Sequence, residues 1–205
     1  CIHRQTEPYR PDKPRPLTIK RFFDRMSHFI ENNSIVIAET GVSLFSAAEM
    51  LMPEGATFIG QTFYGSIGYT VGATLGAGMA AQDRHAVLFV GDGSFQVTCQ
   101  DLSTMIRNRL KPIIFLINND GYTIERVISD RPYNDIQPWH YHKLVEVFGS
   151  GLRVDVRTEG ELEDALGKAA TTDGLVFIEI HTGQLDCPEA LRSAGRSMAK
   201  ANQLD

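Results

Sequence analysis

Cysteine is scarce: three in 205 residues (Cys1, Cys99 and Cys187), an odd number with no CxxC spacing. That excludes a disulfide framework and a CxxC metal knuckle, and fits a reducing, cytoplasmic setting. No run of lysine or arginine occurs. The formal charge is −5 and the sequence pI is near 5.7, so the basic surface that nucleic acid requires is missing. No positively charged leader precedes an apolar segment at the amino terminus. The one nearly uncharged stretch, Gly65 to Ala81, has 17 residues, the short limit for a bilayer span, and Gln82, Asp83 and Arg84 follow at once. It is expected to pack within the protein or against a second subunit rather than cross a membrane, with Gly65, Gly68, Gly72 and Gly76 on one helical side. Within it, GAGMAA lacks the third glycine of a dinucleotide fingerprint and does not follow a strand, which disfavours a nicotinamide site.

What is present is an ordinary globular composition, 42% hydrophobic and 22% charged, enough for one domain with a substantial core. Four of the nine prolines (Pro8, Pro11, Pro14 and Pro16) fall in residues 1–16, which read as an interdomain linker with further chain expected before it. Residues 17–190 read as the domain and 191–205 as a carboxyl-terminal helix or tail. An apolar stripe from Leu17 to Ile30 predicts an amphipathic helix running to Glu31. The pattern of Glu159–Ala170 predicts another.

The centre of the chain is residues 86–125. AVLFV at 86–90 and PIIFLI at 112–117 are short, β-branched and aromatic runs, each closed by a turn, GDG and NND. They predict strands buried on both faces. Between them, Ser94–Arg109 carries helical spacing and is stopped by Lys111-Pro112. Strand, helix, strand implies a parallel crossover. SIVIAETG at 34–41, GLRVDVRT and LVFIEIHT add further strands. The fold class is therefore α/β, a parallel sheet of about six strands with helices on both faces.

In such a crossover Asp92 and Asn119, 27 positions apart, sit past the carboxyl ends of neighbouring strands, roughly 5 Å apart, at the edge where open α/β sheets bind ligands. Asp92 offers a carboxylate oxygen, Asn119 an amide oxygen, and Gly121 loosens the backbone so that a carbonyl can turn inward. Hard oxygen donors with little charge suit Mg²⁺ that keeps sites for phosphate oxygens. Gly91 and Gly93 allow close backbone approach to a phosphate, and amides from Ser94 onward face it. Either turn alone is ordinary turn chemistry; their pairing across one crossover points to a diphosphate bridged through Mg²⁺.

GDGS followed by NN, with 26 residues between Asp92 and Asn119, resembles the thiamine diphosphate fingerprint. The longer match, GDGSFQVTCQDLSTMIRN through PIIFLINNDGYTIE, together with VIAETG and YGSIGYTVGATLGA, resembles the pyruvate decarboxylase family, which includes indolepyruvate and phenylpyruvate decarboxylases. The resemblance covers the last of the three domains such enzymes carry. It implies a thiamine diphosphate-binding fold, thiamine diphosphate and Mg²⁺ as cofactors, and non-oxidative decarboxylation of a 2-keto acid to an aldehyde and CO2. It places Thr40 and Gly41 by the diphosphate and aminopyrimidine, and Gly65, Ser66 and Ile67 under the bent cofactor, with Ile67 as the apolar wedge. Tyr122 and Thr123 enter the cofactor and substrate region, Ile124 limits substrate size, and Glu125 handles protons at the reacting centre from an apolar pocket that could raise its pKa.

Two departures stand out: Val42 replaces a small polar residue of many relatives, and Tyr64 stands where many carry Trp. In the family an activating carboxylate and a histidine pair come from the amino-terminal domain of a partner subunit. Neither is found in this sequence, so the chain alone is expected to be inactive and to act within a homodimer or homotetramer. An acetolactate-synthase-like ligase and a catalytically silent cofactor-binding fragment are the alternative readings. Residues 129–142, SDRPYNDIQPWHYH, read as a loop closing over the site. Its His140 and His142 lack a third metal ligand at suitable spacing.

Overall fold

Each apolar run closed by a turn forms a strand, in a computed structural model that describes residues 8–202. The strands are β1 (Ile35–Ala38), β2 (Thr57–Gly60), β3 (Ala86–Gly91), β4 (Ile113–Asn118), β5 (Leu152–Val156) and β6 (Val176–His181). They form one sheet in the order β2-β1-β3-β4-β6-β5, and every adjacent pair is parallel. The central strands are buried on both faces, the pattern expected when crossover helices cover a parallel sheet.

One face is covered by α1 (Ile19–Met26), α2 (Val42–Ala47), α6 (Thr123–Ile128), α8 (Glu159–Ala169) and α9 (Glu189–Ala201). The other carries α3 (Tyr69–Ala80), α4 (Asp92–Thr98), α5 (Asp101–Arg107) and α7 (Leu144–Phe148). Phe22 of α1 meets Phe89 and Phe115 edge-on at 5.8 and 5.3 Å, and those two rings stack at 5.5 Å across β3 and β4. Such pairs add about 0.5–1.5 kcal/mol each beyond the area they bury.

Several boundaries differ from the sequence reading. The first helix ends at Met26, not Glu31, because His28 and Phe29 bond three residues back and tighten the chain into a turn. The single helix expected over Ser94–Arg109 is two, since Leu102 and Ser103 bond to Cys99 and Gln100 three residues earlier. Gly65 and Gly68 are not on a helical stripe with Gly72 and Gly76. Both lie ahead of α3 with positive φ, and Gly68, at φ 86°, is its N-cap. Of the segment read as a linker, residues 1–7 lie outside the described residues, while Tyr9 and Asp12 bond to the Glu159 carboxylate and Pro16 bridges to Thr158. Among the described residues no helix is long and apolar enough to cross a membrane.

Candidate functional site

The chain runs outward from β1 to β2, then returns to place β3 on the other side of β1. This reversal opens a crevice beyond the carboxyl ends of the strands, the position where open α/β sheets take ligands. A cavity of about 650 Å³ occupies it. Thr40, Gly41, Val42 and Ser43 border it after β1, Gly65, Ser66 and Ile67 after β2, and Gly91, Asp92, Gly93 and Ser94 after β3. Asn119, Gly121, Tyr122, Thr123, Ile124 and Glu125 border it after β4.

β3 and β4 are neighbours with Gly91 opposite Ile117, so the two turns project from one rim. Asp92 is only 1% exposed. Its Oδ1 accepts from the Gly93 N–H at 2.7 Å and its Oδ2 from the Gly121 N–H at 3.1 Å. Burial pushes its carboxyl up to about 6, against the lowering effect of those two backbone donors. The Asn119 amide points one atom at Gly121 O (3.0 Å) and Asp92 Oδ1 (3.3 Å), and the other at Thr123 Oγ1 (2.7 Å). Its orientation follows from the surroundings rather than from its shape. Nitrogen inward, it donates to both oxygens; oxygen inward, three oxygens converge with no proton between them, a repulsive cluster unless a cation sits there. Separations near 3 Å match the edge of an octahedron around an ion with bonds of about 2.0–2.1 Å. The donor set therefore fits Mg²⁺.

A residue not picked out from the sequence organises the opposite wall. Glu39, fully buried at the end of β1, accepts from Thr40 N–H (3.0 Å), Gly68 N–H (3.1 Å), Thr70 N–H (3.3 Å) and the Thr70 hydroxyl (2.7 Å). It ties the Gly65–Gly68 turn to the sheet and so fixes where Ile67 stands. The only sequence signal was a carboxylate ending a fully buried strand, which must find several donors. Gly68 also admits Val97, whose Cγ1 lies 2.8 Å from where a Cβ would be, and Gly93 leaves room for the Tyr122 ring, 2.4 Å from its missing Cβ.

Glu125 lies in the first turn of α6 and is exposed, so this chain does not supply the apolar enclosure expected for it. Ile124 is half-buried and packs on the core. Ala194 and Met198 of α9 also line the cavity, a contribution the sequence reading did not assign to residues 191–205. The segment 129–142 does not close over it. None of its residues lines the cavity: Tyr141 is buried against Phe95 at 6.2 Å, and the Asn134 carbonyl accepts from Tyr122 N–H, holding the segment against the outside of the Gly121–Tyr122 turn. Thr70, Val71 and Thr74 are the buried residues of α3, while Phe63, Tyr64, Ile67, Tyr69, Met79 and Val97 are exposed apolar side chains.

Comparison with known proteins gives these features a family. The domain described as "Thiamine pyrophosphate enzyme, C-terminal TPP binding domain" matches residues 39–180. The chain is 45% identical over 197 residues to pyruvate decarboxylase 3 of Arabidopsis thaliana, covering 93% of this chain and 33% of that protein. It is 43% identical over 192 residues to an alpha-keto-acid decarboxylase of Mycolicibacterium paratuberculosis, covering 90% and 34%. It therefore spans about a third of the length of the curated relatives it matches. A Mycobacterium smegmatis structure provisionally assigned as a thiamin diphosphate-dependent enzyme superposes with a TM-score of 0.71 at 22% identity, over 82% of this chain and 32% of that one, and supports the fold.

Proposed function

Because the chain belongs to the family of thiamine pyrophosphate enzyme C-terminal TPP-binding domains, we propose that it holds the diphosphate of thiamine diphosphate, through Mg²⁺, in a non-oxidative 2-keto acid decarboxylase. The observation that carries this reading is the meeting of Asp92 Oδ1, the Asn119 amide and Gly121 O at one rim. These three hold the cation. Gly91 and Gly93 let the backbone come close to the phosphates, and Ser94 continues that wall. Thr40, Gly41, Gly65 and Ser66 border the cofactor's path, with Tyr122 and Thr123 across from them, and Ile67 supports it from beneath.

When bound, thiamine diphosphate supplies the electron sink into which the carboxylate's electrons pass as CO2 leaves. Glu125 moves protons at the substrate carbon, and Ile124 limits the size of the keto acid. Since Glu125 is exposed here, its enclosure comes from the bound ligands and from a second subunit. The exposed apolar residues Phe63, Tyr64, Ile67 and Tyr69 are where such a subunit packs, in a homodimer or homotetramer. The unpaired thiols of Cys99 and Cys187 agree with a cytoplasmic setting.

Pyruvate, indolepyruvate or phenylpyruvate is the substrate class. The test is product analysis with each keto acid on a longer polypeptide carrying the two further domains. Aldehyde and CO2 in equal amounts are expected. Acetolactate from pyruvate would move the chain to the ligases, and no product from any keto acid would leave only cofactor binding.

A further inference from the structure

Four side chains that the decarboxylase reading leaves unused meet beside the edge strand β5: His142, Asp155, Glu179 and His181. Their numbering gives no hint of it, since His142 stands in a 3-10 turn (Tyr141–Lys143) and the others on β5 and β6. The sheet brings them together by pairing Asp155 with Glu179 in register and setting His181 two residues on, on the same face. His142 Nδ1 lies 2.6 Å from Glu179 Oε2, and His181 Nε2 lies 2.9 Å from Asp155 Oδ1 and 3.7 Å from Glu179 Oε1. One ligating atom each from His142, Asp155 and Glu179 fall within 4.8 Å of one another.

We infer that His142, Asp155, Glu179 and His181 form a second divalent-metal site, for an ion of the Zn²⁺ class. Two imidazoles and two carboxylates are the nitrogen and oxygen donors that Zn²⁺ takes in four-coordinate sites, and imidazole nitrogen disfavours Mg²⁺ and Ca²⁺. With bonds of about 2.0–2.2 Å, tetrahedral ligand atoms stand roughly 3.3–3.6 Å apart. The bonded pairs are spaced 2.6–3.7 Å and the His142, Asp155 and Glu179 atoms lie within 4.8 Å of one another, so the site forms as side-chain rotation draws these three together and brings His181 in as the fourth ligand.

Charge points the same way. Two carboxylates carry a charge that one dication cancels. Among the described residues Arg157 answers it, from an exposed flank, with Nη2 3.6 Å from Asp155 and 3.2 Å from His181 Nε2. Metal entry displaces this guanidinium into solvent, and the ion takes over its role of offsetting the two carboxylates. Glu179 is already oriented, since its Oε1 accepts from Asn118 Nδ2 (2.8 Å) and its Oε2 from the His142 N–H (3.0 Å). Such outer hydrogen bonds fix ligating carboxylates in metal sites. The ion fastens the end of segment 129–143 to the sheet.

The test is calorimetric titration of the 205-residue chain with ZnCl2 in excess Mg²⁺, paired with the visible spectrum of Co²⁺ as a stand-in. One ion per chain is expected, with the intense visible bands of four-coordinate Co²⁺. His142→Ala and His181→Ala, both at part-exposed positions, should each weaken binding by at least about tenfold, and Asn118→Ala by about tenfold, while His140→Ala changes nothing. His142→Gln repeats the test with bulk retained. Absence of binding, binding that survives both histidine substitutions, or binding abolished by Asp92→Ala instead would overturn the assignment.

Discussion

Asp92 joins a stability signature to the proposed role in holding the cation. Its carboxyl rises from the ordinary 3.8 to about 6, chiefly through burial. A raised folded-state value means that the metal-free folded chain holds this proton more tightly than the unfolded chain. The group's contribution is therefore fully present below about pH 4 and is lost as pH climbs through about 6, by about 3 kcal/mol. Urea unfolding of the metal-free chain at pH 4 and pH 7 should show this loss as a difference between the wild type and Asp92→Asn. Added Mg²⁺ should restore the wild type alone, and an identical pH response in both proteins would contradict the account. Glu39 makes a second prediction at this scale. Glu39→Gln sets an NH2 group against donors from Gly68 and Thr70, leaving buried donors unpaired at a cost of about 1–3 kcal/mol. Chemical denaturation should read that loss together with weaker cofactor binding.

Among the elements, the paired turns were legible because a buried strand, a helix and a second buried strand leave few topologies open, and both turns carry oxygen donors. The sheet of six parallel strands followed from the same logic. β2 was not located in advance: Thr57–Gly60 is short and half-exposed, so it lacks the apolar run that marked the others. Glu39 escaped because a single glutamate after a strand looks like any solvated residue until the Gly68 and Thr70 donors are seen around it. The course of 129–142 escaped because Tyr141 is buried by distant partners. The junction of α1 and α8 gives the prediction at this scale. Arg21 beside Glu159 holds that carboxyl down to about 2, with Asp12 N–H and Tyr9 adding to the effect against the cost of burial. A lowered value means stability that is present above the ordinary carboxylate range, about 4.5, and lost as pH falls toward about 2. Glu159→Gln should cost on the order of 1–3 kcal/mol at pH 7 and little at pH 2. Thermal melts at the two values check this, and an equal cost at both would rule out the ion pair as the cause.

At the scale of the whole molecule, the chain spans about a third of its curated relatives and leaves Glu125 exposed. It should bind thiamine diphosphate with Mg²⁺ yet release no aldehyde from pyruvate, phenylpyruvate or indolepyruvate by itself. Robust turnover by the 205-residue chain would show that no other domain is needed. In the longer polypeptide, Ile124→Ala should shift kcat/KM toward aromatic keto acids by about tenfold, read by steady-state comparison with pyruvate. The measurement that bears most directly on the whole account is calorimetric titration of thiamine diphosphate into the wild type and Asp92→Ala, with and without Mg²⁺. Binding that needs Mg²⁺ in the wild type and disappears in the variant is the predicted result; unchanged Mg²⁺-dependent binding in Asp92→Ala would contradict it.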